Sequence, residues 1–225
     1  MKIKFYTHST ILLKIKNLKI IVDPFFTNNP KNKFKIKKLK KINYILITHA
    51  HYDHNSDVEN ISKKFNSIII SNYEICRYYE KKNLKTFSLN YGSFIKIKNI
   101  LIKYVYALHS SSFLDGTYGG NPGGFIISYK KKNIYIAGDT DIFYDMKYFI
   151  KKIKFNFLIL PIGGRYTMNF KDAFLASKIL KCNNILGVHY NTFPEIKINK
   201  KKAKFFFKER KKNLFLLKKN KNIKI

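Results

Sequence analysis

Apolar residues along this chain gather in short β-branched and aromatic runs separated by Asn, Gly, Pro and Lys, the pattern of strands bounded by turns. The runs occupy residues 3–6, 11–15, 19–22, 44–48, 67–70, 101–108, 125–129, 133–137, 157–160 and 185–188. Between them, apolar positions recur at the 3.6-residue spacing of amphipathic helices over residues 57–65, 73–81, 171–180 and 200–210. The first half is strand-rich and meander-like, whereas strand and helix alternate later. That order predicts an α/β (α+β) fold of two mixed sheets covered by helices. No short-period repeat or low-complexity linker divides the chain. Its 225 residues suit one well-buried domain, 1–225.

The residues able to ligate a metal fall at the ends of the predicted strands. His49 follows YILIT, His109 follows LIKYVYAL, Asp139 follows NIYIAG, His189 follows NILGV, and Asp23 follows LKIIV. Loops just beyond strand ends are where sites are built on a rigid scaffold, and strands running in one direction bring such ends to one edge. The densest cluster is THAHYDHN, residues 48–55, which holds three of the six histidines and one acid. Neutral imidazole and ionised carboxylate are donors for a borderline divalent cation. One ion takes three or four such groups, yet seven stand here: His49, His51, Asp53, His54, His109, Asp139 and His189. Seven suit two ions. Alternation in the turn after His49 would send His49 and His51 toward one ion and Asp53 and His54 toward the other, with the two oxygens of Asp139 suited to a bridge.

The formal charge of +32 invites a nucleic-acid reading, because lysine and arginine neutralise phosphates. Only Arg77, Arg165 and Arg210 of the 45 basic residues are arginine, and the planar guanidinium is the group favoured in specific phosphate and base recognition. The surplus is spread along the chain beside many Asn, Ile, Phe and Tyr, a profile expected of A- and T-rich codons. It reads mainly as drift of solvated positions, residues 31–41 (KNKFKIKKLKK) included, and leaves a nucleic-acid partner open without favouring it. Two distant cysteines, Cys76 and Cys182, suggest buried thiols in a reducing compartment rather than a disulfide framework. The N-terminus lacks a signal-peptide apolar core, and no run approaches the ~20 apolar residues of a membrane helix. The expectation is a soluble cytoplasmic protein without a membrane partner.

With these residues in view, the chain resembles the metallo-β-lactamase superfamily, whose His-x-His-x-Asp-His hallmark is met by His49, His51, Asp53 and His54. Its later positions are matched in order by His109, by Asp139 in AGDT, and by His189. More narrowly, it is similar to a family of metal-dependent hydrolases near the ascorbate-phosphate lactonases, through HST (8–10), VDPF (22–25), AGDT with Asp145 and Met146, LPIG with YTM (160–163 and 166–168) and HYNTFP (189–194). The resemblance implies a four-layer αβ/βα sandwich with a dinuclear site at one edge. His49, His51 and His109 would hold the first ion; Asp53, His54 and His189 the second; Asp139 would lie between them. The ions would be zinc, or alternatively manganese. Asp23 would orient a ligand imidazole. His8, the one histidine outside the ligand set, would contact substrate or protonate the leaving group. Arg165 stands where relatives often carry His or Asp, and would hold an anionic group of the substrate. The Gly-rich residues 110–124 offer close substrate approach or a mobile lid.

The function this implies is hydrolysis by a metal-bridging hydroxide, with Asp53 orienting the attack, of an ester, lactone or phosphoester bond in a small, anionic substrate. Two alternatives stand beside it. A nuclease or phosphodiesterase acting on nucleic acid would use the charge, though the chain leaves no room for a capping domain. Di-iron redox chemistry usually pairs with an acid in place of His51. Homo-oligomer formation is left open.

Overall fold

The computed structural model describes residues 1–149, 151 and 153–225. The first sheet takes β1 (Lys2–Thr7), β2 (Thr10–Ile15), β3 (Leu18–Val22), β4 (Tyr44–Leu46), β5 (Ile68–Asn72) and β6 (Thr86–Leu89). Helices α1 (Tyr52–Asn55), α2 (Val58–Phe65) and α3 (Tyr73–Glu80) lie among these strands. The second sheet takes β7 (Phe94–Ile97), β8 (Ile100–Tyr106), β9 (Gly123–Tyr129), β10 (Lys132–Ile136), β11 (Phe157–Pro161), β12 (Asn184–Val188) and β13 (Asn213–Phe215). Its helices are α4 (Met146–Phe149), α5 (Phe170–Ile179) and α6 (Lys200–Glu209), and β14 (Asn222–Lys224) returns to the first sheet. The strand orders are β14-β1-β2-β3-β4-β5-β6 and β13-β12-β11-β10-β9-β8-β7.

Three apolar clusters define the layers. Between the sheets, Ile3, Leu13, Ile20, Leu46 and Ile70 meet Ile102, Phe125, Ile127, Ile134 and Ile159. Outside the first sheet, Ile45, Ile47 and Ile69 pack under Val58, Ile61, Ile75 and Tyr79. Outside the second, Tyr135, Leu158, Leu160 and Ile185 pack under Ala173, Ala176, Ala203 and Phe207. The result is helix on sheet on sheet on helix, the four-layer αβ/βα sandwich expected. Strand β11 (FLILP) is buried along its whole length, as a central parallel strand covered on both faces must be.

Every strand and helix anticipated from the pattern is present, with shifted boundaries. Strand β4 stops at Leu46, and β8 ends at Tyr106, because the chain beyond each turns into the site. The pattern did not signal β6, β7, β13, β14, α1 or α4. The four strands are edge strands of three or four residues, too short to show a period.

Strands β3 to β6 are mutually parallel, as are β10 to β13. Paired antiparallel steps give β1 the direction of β3, and β8 the direction of β10. The ends that lead to His8, Asp23, His49, His109, Asp139 and His189 therefore share one edge of the sandwich.

Candidate metal centre

The loop after β4 is fixed before any histidine is placed. Ser71 Oγ donates to the Ile47 carbonyl at 2.7 Å, and Tyr104 Oη donates to the Thr48 carbonyl at 3.0 Å. Asp23 at the end of β3 accepts the Thr48 backbone N–H (2.9 Å) on Oδ1 and the Thr48 hydroxyl (2.8 Å) on Oδ2. The hydroxyl proton is thereby committed to a carboxylate, so the 3.0 Å contact between Thr48 Oγ1 and His49 Nδ1 requires Nδ1–H to donate. Nδ1–H of His54 donates to the same Asp23 Oδ2 at 2.8 Å. One buried carboxylate thus orients two imidazoles, turning the Nε2 atoms of His49 and His54 toward the site.

His51 caps α1, whose single turn places Asp53 and His54 side by side. His49 Nε2 and His109 Nε2 lie 3.0 and 3.3 Å from His51 Nδ1, a convergence of three imidazole nitrogens. On the other side, His189 Nε2 lies 2.9 Å from Asp139 Oδ2 and 3.6 Å from Asp53 Oδ2. His54 Nε2 lies 3.3 Å from Asp139 Oδ1. The Asp139 carboxylate also comes within 3.8 Å of His109 Nε2, and so faces both clusters.

These donors fit cations. Among the described residues His54 Nε2 and Asp139 Oδ1 are buried and make no hydrogen bond, which is costly unless another group satisfies them. Burial pushes His49 well below its ordinary pKa, reinforced by His54, and so keeps it a neutral donor. Burial also opposes charge on His54 and His189, but Asp139, joined by Asp23 at His54 and by Asp53 at both, overrides it. His54 lies well above its ordinary value and His189 is raised to about 9. The carboxylates thus favour positive charge at both imidazoles, be it a proton or a divalent cation. Burial raises Asp53 and Asp139, yet His54 at the first and His189 and His54 at the second hold both well below the usual carboxylate range.

Comparison with known proteins decides the lineage. A family model described as "Beta-lactamase superfamily domain" matches residues 2–189. The chain belongs to the β-lactamase superfamily. A relative from Flavobacterium johnsoniae, named "UPF0173 metal-dependent hydrolase", is 48% identical over 217 residues, 96% of each chain. One of the same name from Christiangramia forsetii is 46% identical over 219 residues, again 96% of each. The structure of Igni18, described as a novel metallo hydrolase from the archaeon Ignicoccus hospitalis, superposes with a TM-score of 0.90 at 29% identity, covering 99% of this chain and 97% of that one. Within the superfamily the chain falls among the metal-dependent hydrolases, and it is an enzyme of that class.

In this β-lactamase-superfamily sandwich all seven ligand-type residues meet at one edge, as their order in the sequence implied. The expectations for His8 and Arg165 are revised. His8 does not line the cavity over the clusters. Its side chain is fully buried behind Asp53, with Nε2 3.0 Å from Asp53 Oδ2 and Nδ1 2.9 Å from Thr192 Oγ1. Burial, aided by His189, pushes His8 down to about 4. The neutral ring then donates Nε2–H to the carboxylate and accepts from the Thr192 hydroxyl, so both of its nitrogens are engaged away from the cavity.

Arg165 is exposed, adopts the left-handed region (φ 56°), and lays its guanidinium 5.6 Å from the Tyr166 ring centroid. It does not line the cavity either. Within residues 110–124, Gly119, Gly120, Gly123 and Gly124 are closely packed, whereas Gly116 stands in open space. A Cβ at Gly119 would meet the Ala50 side chain, and Asn72 Nδ2 ties down the carbonyls of Gly119 (2.7 Å) and Asn121 (3.1 Å).

The cavity itself measures about 520 Å³ and is floored by His51, Asp53, His109, Asp139 and His189. Its remaining walls are Ser110, Tyr166, Phe193 and Glu195, none of which the sequence reading selected as a site residue, and no lysine or arginine is among them. Thr48 and Thr192 were also missed; each lies within three residues of a candidate ligand, which is the one signal that pointed to them. Both cysteines are buried and free. Among the described residues no helix is long and apolar enough to cross a membrane.

Proposed function

We propose that the two clusters hold a pair of divalent cations and that the enzyme cleaves an ester, lactone or phosphoester bond in a small molecule. His49, His51 and His109 would hold one ion and Asp53, His54 and His189 the other, with Asp139 reaching both. The observation that carries this reading is the buried pair His54 Nε2 and Asp139 Oδ1, 3.3 Å apart between the clusters and without a hydrogen bond among the described residues. A five-imidazole, two-carboxylate donor set suits zinc, with manganese as the alternative. Such ions supply Lewis acidity, lowering the pKa of water toward ~7 and polarising the substrate oxygen.

The chain's own residues do the rest. Asp23 orients His54 directly and His49 through Thr48, and His8 fixes the Asp53 oxygen that faces His54 and His189. Asp53 stays ionised and lines the cavity, where it is placed to orient the attacking group by accepting its hydrogen bond. The cavity admits a small molecule. Its wall offers aromatic surface from Tyr166 and Phe193 and one carboxylate from Glu195. An anionic group on the substrate would therefore rely on the cations, because no lysine or arginine among the described residues lines the cavity. The nuclease alternative draws no support from this wall, and His51 continues to speak against iron.

The test is a metal-loaded screen of ester, lactone and phosphodiester substrates alongside Asp139→Ala. The expected outcome is metal-dependent turnover of one class, abolished together with metal retention in the variant. An Asp139→Ala protein with full metal content and full activity would overturn the assignment.

A further inference from the structure

The outer face of β14-β1-β2-β3 carries a row of like charges. Lys224 lies directly opposite Lys2, Lys2 opposite Lys14, and Lys14 opposite Lys19, across four adjacent antiparallel strands. The next row, Ile223, Ile3, Leu13 and Ile20, faces the inter-sheet core, so the lysines face outward. Directly opposed residues stand ~5 Å apart at Cβ, where like charges are destabilising. At a strand spacing of ~4.8 Å the row spans roughly 14 Å.

The surroundings add cations and no anion. Lys4 on the same face, with Lys38 and Lys40 from the basic run at residues 31–41, joins Lys2, Lys14 and Lys19 around a groove of about 440 Å³ in which no residue is acidic. Lys4 Nζ rests over the Tyr6 ring at 4.6 Å and near that of Phe34 at 5.6 Å, and Phe34 keeps part of its ring exposed. Among the described residues, lysine ion pairs are made by Lys63 and Lys82 with Glu59, none by the row. The sequence reading treated the charge as drift. Drift explains the number of lysines, but not three consecutive cross-strand oppositions without one acid in the groove beside them.

We propose that this face binds the phosphate backbone of a single-stranded nucleic acid. A line of evenly spaced cations suits a linear polyanion better than a single small anion, and a basic groove with an aromatic ring suits single strands. The concave shape favours this over a lipid surface. The groove lies apart from the hydrolytic edge. Lys19 is four residues from Asp23 and Lys2 six residues from His8, roughly 13–20 Å along the strands. Binding here is independent of turnover at the metal centre and reads backbone rather than sequence.

The test uses the full-length protein and a fluorescently labelled mixed-sequence DNA single strand, followed by anisotropy over a salt series. Four lysine–phosphate contacts give a slope of log affinity against log salt of about −2.8. The triple variant Lys2→Gln, Lys14→Gln, Lys19→Gln should lower the steepness by about 2 and weaken binding on the order of tenfold or more. A control triple, Lys130→Gln, Lys131→Gln, Lys132→Gln, removes the same charge from the exposed β9–β10 turn and should leave the slope within about 0.5 of the wild type. The first triple should also melt no lower than the wild type, since repulsion is relieved. The single variant Lys14→Gln, which lies between two of the row's lysines, gives a second reading with a slope change near 0.7. Equal weakening by both triples would reduce the effect to net charge and overturn the proposal. So would absence of wild-type binding, or loss in the first triple of binding to phosphatidylserine vesicles with oligonucleotide binding intact.

Discussion

Asp23 and His54, 31 positions apart in the sequence, are joined by a buried 2.8 Å hydrogen bond from the imidazole Nδ1–H to carboxylate Oδ2, the same oxygen that accepts the Thr48 hydroxyl. Asp23→Asn replaces a four-lone-pair acceptor by an amide that cannot take all three donors. Groups that hold ligand imidazoles in this way typically contribute 10- to 100-fold in metal affinity. Chelator competition should show a loss of that size for Asp23→Asn, and an unchanged affinity would remove Asp23 from this role.

His8 presents a different case, because its ring is neutral and committed to Asp53 and Thr192. His8→Ala should lower activity by a factor that stays constant across esters of increasing leaving-group pKa, accompanied by weaker metal retention. A defect that grows with leaving-group pKa would restore the general-acid role expected from the sequence.

The metal-free protein should lose stability at high pH. His189 has a folded pKa of about 9 against an ordinary 6.5, so its pairing with Asp139 contributes fully below pH 6.5 and fades as pH rises through 9. The loss is on the order of 3 kcal/mol. Asp139 is shifted the other way, so its contribution is present above its ordinary value and is lost as pH falls through its lower folded one. Melting of chelator-treated protein at pH 6 and pH 9.5 should show the decline, and Asp139→Asn should flatten it.

Gly138 occupies the left-handed region at φ 66°, and a Cβ there would lie 2.7 Å from Thr48 Cβ and 2.9 Å from the Gly123 carbonyl oxygen. Conformational cost and overpacking together put Gly138→Ala at roughly 2–4 kcal/mol of destabilisation. Since Thr48 and Asp139 move with this contact, the variant should also bind metal less tightly. Denaturant melts with and without added zinc would separate the two effects.

Much of this was legible because burial and ligation leave local marks. A central strand must read as an apolar run, and a two-ion donor set must concentrate scarce histidines at strand ends; His49 to His54, His109, Asp139 and His189 carried both marks. Edge strands such as β13 and β14 bury one side or less and left no such trace. Arg165 was misjudged because its side chain's direction depends on a left-handed backbone that no neighbouring residue announces.

The sequence by itself determined two mixed sheets covered by helices and a concentration of donor residues at strand ends, because these follow from apolar period and donor chemistry along a single line, and its motifs carried the resemblance to the superfamily. The tertiary structure alone decided which ring nitrogen faces inward, that His8 stands behind Asp53, that no lysine or arginine among the described residues lines the cavity, and that four lysines scattered from residue 2 to residue 224 align in one row. Those are matters of side-chain direction and strand register, set when distant segments pack against one another.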